Sequence, residues 1–154
     1  MRGEKRKLRP FAEDDLPALS DLWVAAWREI LPEIDFEARR RWLDARLRDI
    51  RAGGGAIVVG LGARSEPAGF ITLDLESGYL DQLCVAPAER GSGLAKALLE
   101  EAKHLSPGLI ELDVNEANSR ALSFYKRESF NVAACGVSET SGLPTLRMRW
   151  RGSA

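Results

Sequence analysis

The segment Arg90-Gly91-Ser92-Gly93-Leu94-Ala95 joins an apolar, strand-like run to an amphipathic helical one. These residue types suit the binding of a phosphate. The first turn of a helix leaves backbone N–H groups without partners, and these groups and the helix dipole together favour an anion. Glycines let the backbone approach it closely. Arg90 adds a charge-assisted contact. Two common phosphate motifs do not fit. A dinucleotide fingerprint needs a third glycine where Lys96 stands, and a P-loop needs Gly-Lys followed by Ser or Thr, where this chain has Leu94-Ala95-Lys96-Ala97. A plain strand-to-helix turn that only needs flexibility would use the same glycines.

The spacing that does fit is R-x-x-G-x-A, at Arg90, Gly93 and Ala95. After the next strand-like run, Leu109 to Val114, comes Asn115-Glu116-Ala117-Asn118-Ser119-Arg120-Ala121-Leu122-Ser123-Phe124-Tyr125. An Asn, an Ala and an aromatic-Tyr pair follow one another there on one helix. Together the two segments resemble the cofactor-binding segments of the GCN5-related N-acetyltransferase (GNAT) family. The resemblance follows the element order from Leu8 to Trp150 and is motif-specific from about Leu80 to Phe130.

That resemblance implies an enzyme, an acetyl-coenzyme A-dependent N-acetyltransferase (an acyltransferase), which moves an acetyl group to a primary amine by direct attack. It implies that Arg90, Gly91, Ser92, Gly93, Leu94 and Ala95 hold the cofactor's pyrophosphate. The pantetheine would slot between two splayed strands, against the backbone of Leu83, Cys84 and Val85 and against Asn118. The Tyr125 hydroxyl would lie near the sulfur. No metal is implied. A non-catalytic acyl-coenzyme A sensor with the same pocket is the alternative. One departure is visible: the family often follows the second helix with Gly-Phe, and here stands Ser129-Phe130. A glycine favours a left-handed helix stop, so Ser129 implies a different or slightly strained turn.

Chemistry gives Tyr125 a reason beyond the resemblance. When an amine attacks a thioester, the departing thiolate gains a proton. A phenol, with an ordinary pKa of about 10, can supply it. A base must take a proton from the amine; the candidates are Asp113, then Asp81, with Asp74 and Glu76 behind them. Asp113 stands on the strand before the second segment, where some relatives carry a carboxylate. Asn118 also reads as a helix N-cap. The lone His104, late on the first cofactor helix, reads as a surface residue. The acceptor side is unread: a small amine, an amino acid, an antibiotic, or a protein terminus or lysine all remain. Trp23, Trp27 and Trp42 could line it, though their helical spacing also suits a core.

These residues need a frame, and 154 residues suit one domain, taken as 1–154. Hydrophobic residues make up 45% and charged residues 29%, so disorder does not dominate. The formal net charge of -1 lacks the basic excess of a nucleic-acid binder. No apolar run approaches a membrane span, and no secretory signal is visible at the start. The simplest reading is a cytoplasmic protein without nucleic-acid or membrane partners; a homodimer stays open. Cys84 and Cys135, both in apolar runs, read as buried free thiols.

The pattern predicts a strand at Lys7–Arg9 and a helix carrying Leu16, Leu19, Trp23, Ala26, Trp27 and Ile30. A second helix, capped by Asp35, carries Phe36, Trp42, Leu43, Leu47 and Ile50 inward. Arg39, Arg40, Arg41, Arg46 and Arg48 lie on its other face, which reads as a solvated face or a docking surface for an acidic partner. Strands follow at 56–61, 68–75 and 79–85, then a helix beginning at Leu94, a strand at 109–114, a helix at 118–127, and strands at 130–136 and 145–150. The fold class is α/β (α+β): a three-layer αβα domain around a seven-stranded mixed sheet, the acyl-coenzyme A N-acyltransferase fold.

Overall fold

The structure is a computed structural model that describes residues 6–139 and 141–152. Seven strands and four helices follow in the expected order. The short β1, Leu8–Pro10, precedes α1, Leu16–Ile30, and α2, Arg40–Ala52. A three-strand meander comes next: β2, Ala56–Leu61; β3, Pro67–Leu73; and β4, Leu80–Val85. Then come α3, Leu94–Leu105; β5, Leu109–Asn115; and α4, Ser119–Arg127. A hairpin of β6, Asn131–Val137, and β7, Pro144–Arg151, ends the chain. Asp35 does not cap α2 itself, whose N-cap is Arg39; its carboxylate accepts from Ala38 N at 3.2 Å in the short 3-10 turn, Glu37–Arg39, that leads into the helix.

The seven strands are split between two sheets, ordered β1-β2-β3-β4 and β5-β7-β6, and every pairing inside them is antiparallel. The mixed character expected of one sheet survives only at the junction. There Tyr79 and Glu111 form an isolated parallel bridge, and Glu111 N donates to Gly78 O at 3.0 Å. Beyond it β4 and β5 do not pair.

Alternation along β3 sends Phe70 to one side of the sheet and Ile71 to the other. Phe70 joins Val59, Leu19, Trp23, Leu43 and Leu47 beneath α1 and α2. Ile71 joins Leu73, Leu94, Leu98, Leu99 and Phe130 in the second core, beneath α3 and α4. On β5, Ile110, Leu112 and Val114 enter that second core, while Glu111 and Asp113 face the other way. Strand β6 differs from the expectation. It is the outer strand of its sheet with no layer over it, and all its residues are exposed. Cys135 is therefore an exposed thiol rather than a buried one; Cys84 is buried. No helix among the described residues is long and apolar enough to cross a membrane.

The turn after α4 fixes the ring of Tyr125. Phe130 N donates to Tyr125 O at 2.9 Å and Ser129 N to Lys126 O at 3.1 Å, the paired bonds of a Schellman stop. The Phe130 and Tyr125 rings meet edge-on at 5.3 Å. Ser129 adopts the left-handed conformation, φ 74°. The turn is thus the one a glycine would make, with a side chain strained into it. Ser129→Gly should stabilise the fold by about 0.5–1 kcal/mol, the relief of left-handed strain less the added freedom of the unfolded chain. A higher urea midpoint at unchanged m-value is the measurement; an unchanged or lower midpoint would mean the serine carries no strain.

Candidate active site

The loop between β4 and α3 has the shape its glycines allow. Gly91 and Gly93 are left-handed, at φ 77° and 90°, and an added Cβ would meet nothing within 4 Å at either. Backbone conformation rather than lack of space calls for glycine there. Ser92 Oγ accepts from Leu94 N at 3.3 Å. Among the described residues the N–H groups of Gly91, Gly93, Ala95 and Lys96 have no partner, so four donors are left over at the start of α3. Arg90 Nη1 donates to Glu29 Oε1 of α1 at 2.5 Å.

Leu83, Cys84, Val85, Arg90, Gly91, Gly93, Ala95, Asn118 and Tyr125 line one cavity of about 1260 Å³. Ser92 and Leu94 do not. Leu94 is fully buried in the core under α3, and its N–H is already held by Ser92. On the inner edge of β4, Leu83 and Val85 stand opposite Ile71 and Gly69 of β3; the other edge faces the gap left by β5.

Asn118 caps α4 as expected, its Oδ1 accepting from Ala121 N at 3.1 Å. Tyr125 is buried between Phe124 and Phe130, and its hydroxyl makes no hydrogen bond among the described residues. Burial, with a smaller contribution from Cys84, pushes the phenol upward, so it stays protonated at neutral pH. Burial also pushes the Cys84 thiol up to about 12, partly opposed by Arg90. A neutral thiol is a poor nucleophile.

A second cavity, of about 590 Å³, adjoins the first. The two share Trp27, Leu83, Asn118, Ala121 and Tyr125. One wall of the second cavity is aromatic. Trp23 and Trp42 stack at 6.1 Å, Trp27 and Phe36 at 5.5 Å. All three tryptophans singled out in the sequence line it, and Trp23 belongs to the core as well. Gln82 Oε1 accepts from Trp23 Nε1 at 3.2 Å and ties this wall to β4.

The other wall is charged, and its charges are engaged. Arg147 Nε and Nη2 donate to the two oxygens of Asp113 at 2.8 and 2.9 Å, and the Tyr79 hydroxyl donates to Oδ2 at 2.8 Å. The Arg147 guanidinium also lies over the Tyr79 ring, 5.4 Å from its centre. Arg147, against opposing desolvation and with help from Tyr79, holds the Asp113 carboxyl below the usual carboxylate range. That weakens Asp113 as a proton acceptor. Asp81 accepts from Nε and Nη2 of Arg46, at 3.0 and 2.7 Å. Asp74 is spent on a turn, accepting from Glu76 N and Ser77 N at 2.9 Å each. His104 is exposed in the last turn of α3, as expected.

Tyr79 and Arg147 were not legible as site residues. A signal did exist. Glu111 and Asp113 alternate on β5 as Arg147 and Arg149 alternate on β7, and the register sets Asp113 opposite Arg147 and Glu111 opposite Arg149. Only the pairing of these distant strands reveals it.

A strand pair that parts over a glycine-rich helix start defines the acyl-coenzyme A N-acyltransferase fold. Residues 16–130 match the profile of the acetyltransferase (GNAT) family, and the chain belongs to that family. It is similar to a peptidyl-lysine N-acetyltransferase, YjaB, of Salmonella typhimurium, with 40% identity over 81 residues; the match spans 53% of this chain and 54% of that relative. It is 24% identical over 155 residues to the peptidyl-lysine N-acetyltransferase YiaC of Escherichia coli, covering 93% and 95% of the two chains. Among solved structures, the apo form of Escherichia coli YjaB superposes with a TM-score of 0.76 at 25% identity, over 96% of this chain and 99% of that one. A phosphinothricin acetyltransferase of Sinorhizobium meliloti, solved with AcCoA, superposes at 0.77 with 17% identity, over 97% and 90%. That last likeness is one of fold.

Asp113 gives a pH test. Its folded-state pKa lies below its unfolded value, so its stabilisation is present above the unfolded pKa and is lost as pH falls through the lower, folded one. Asp113→Asn should therefore be less stable than the parent at pH 7 and approach it as the pH is lowered. A stability gap that stays constant from pH 7 into the acid range would contradict the ion pair.

Proposed function

We propose that residues 1–154 form a single catalytic domain that transfers an acetyl group from acetyl-coenzyme A to a primary amine by direct attack. What carries this reading is the meeting of the two cavities at Tyr125, Asn118, Ala121, Leu83 and Trp27. One cavity begins at a phosphate-type loop and the other is bounded by an aromatic wall. A donor and an acceptor bound in them would touch only at that seam.

The residues fit the donor. Four unpartnered N–H groups and Arg90 can take the pyrophosphate, provided Arg90 exchanges Glu29 for a phosphate oxygen. The free edge of β4 at Leu83–Val85, with Asn118, can hold the pantetheine amides. Acetyl-coenzyme A supplies an activated acetyl group as a thioester; the amine nitrogen forms the new C–N bond while the C–S bond breaks. Tyr125, kept protonated by burial, donates its hydroxyl hydrogen toward the sulfur as charge gathers there. A backbone N–H of Leu83–Val85 can polarise the acetyl carbonyl.

Asp113, the base suggested by its place in the sequence, is given another part. With both oxygens engaged it fixes Arg147 and Tyr79 on the acceptor wall, and the amine's proton leaves through water in the open cavity. The relatives named as peptidyl-lysine N-acetyltransferases make a lysine side chain the favoured acceptor. Two free cysteines fit a reducing compartment such as the cytoplasm.

Thermal unfolding with acetyl-coenzyme A, with NADH and ATP as controls, tests the donor site. A ligand at a hundredfold excess over Kd adds about 2.7 kcal/mol to the folded state. Gly93→Glu should abolish the shift, because it sets a carboxylate among donors meant for phosphate and puts a side chain at φ 90°. A folded variant that still responds would remove the loop from the site. Tyr125→Phe should keep the thermal shift and lower kcat by about 10²-fold or more. Undiminished turnover would take Tyr125 out of the mechanism.

A further inference from the structure

The basic face of α2 bears on the acceptor. Most of its arginines are neutralised within the chain: Arg40 by Glu37 and Asp21, Arg46 by Asp81, and Arg48 by Glu13. Arg39 is different. It lines the acceptor cavity, yet no carboxylate lies within ion-pair reach of it among the described residues. Its guanidinium lies over the Phe36 ring, 5.6 Å from the centre, and Phe36 stacks on Trp27 at the seam of the two cavities. Trp42, which also lines that cavity, leaves 38% of its surface exposed.

Resting on the acetyltransferase reading above, we propose that Arg39 and Trp42 select the acceptor: a lysine side chain flanked in its polypeptide by an acidic residue. The Trp42 face packs against the four-carbon stem of the lysine. Arg39 pairs with the neighbouring carboxylate. Charge complementarity is the reason for an acidic rather than a basic flank. The carboxylates of the charged wall, Asp81 and Asp113, are already held by Arg46 and Arg147, so they offer a basic flank little. Glu139, on the hairpin side of the cavity, also lacks an ion-pair partner among the described residues, so the cavity has a cationic α2 side and an anionic hairpin side.

The test uses the full chain, acetyl-coenzyme A and blocked pentapeptides carrying one central lysine, flanked by glycine, aspartate or arginine, with release of free thiol as the readout. An exposed ion pair is worth up to about 1 kcal/mol, so the parent should favour the aspartate peptide by about three- to fivefold in kcat/KM. The preference should fade at 1 M salt, where screening is nearly complete. Arg39→Gln should lose the preference while leaving kcat for the glycine peptide unchanged, and Arg39→Glu should turn it toward the arginine peptide. Trp42→Ala should raise KM for all three peptides without altering the thermal shift by acetyl-coenzyme A; Trp42→Phe should recover part of the loss. A parent that acetylates all three peptides equally, or a preference that survives Arg39→Gln, would overturn the selection by Arg39. A parent that binds acetyl-coenzyme A but acetylates none of them would overturn the lysine acceptor. A parent with no thermal response to acetyl-coenzyme A would bring down the transferase reading, and the inference with it.

Discussion

Past the single bridge between Tyr79 and Glu111, β4 and β5 part. Backbone N–H and C=O groups are obligate hydrogen-bonding groups, and a strand edge without a partner strand must find other partners. Here that edge faces a cavity, not a neighbouring strand. Everything that identifies the site lies along the opening: the end of β4 at Leu83–Val85, the loop into α3, and the start of α4 at Asn118. Had the two sheets closed into one, the backbone groups of β4 would be used up and the two cavities would not meet.

The two cores hold the opening in place from both sides. Leu19, Trp23, Leu43 and Leu47 lock α1 and α2 over one face of the four-stranded sheet, and Leu94, Leu98 and Leu99 lock α3 under the other. Each fully buried leucine is worth about 1.5–3 kcal/mol, so the loop and α3 have little freedom to drift. Tyr125 is fixed by a different device. The turn at Ser129 brings Phe130 back onto its ring, which buries the phenol and keeps it protonated. The conformation of one residue outside the helix thus fixes the surroundings of a side chain inside it.

The charged wall of the second cavity shows how a carboxylate's surroundings decide its chemistry. Asp113 stands where a base would be useful, but Arg147 and Tyr79 occupy both of its oxygens. A carboxylate held in that way is stabilised as an anion and gives up proton affinity. The wall is therefore better built for shape and polarity than for taking protons. Most arginines of α2 are likewise engaged, whereas Arg39, in the turn that leads into α2, lines the cavity without an ion pair among the described residues.

Much of this was legible in the residues because the information was local. The helix from Leu94, the glycine turn before it, the strand at 109–114 and the cap at Asn118 follow from propensity, periodicity and turn chemistry within a few positions. The sequence by itself determined the order of elements, the phosphate-type loop and the Asn-to-Tyr spacing of the second segment. Tertiary structure decided what depends on distant neighbours: that a single bridge at Tyr79 joins the two sheets, that β6 lies uncovered and exposes Cys135, and that Arg147 pairs with Asp113. The physical reason is range. Backbone preferences act over one turn or one strand, whereas burial, ion pairing and strand register exist only once segments far apart in the chain have been brought into contact.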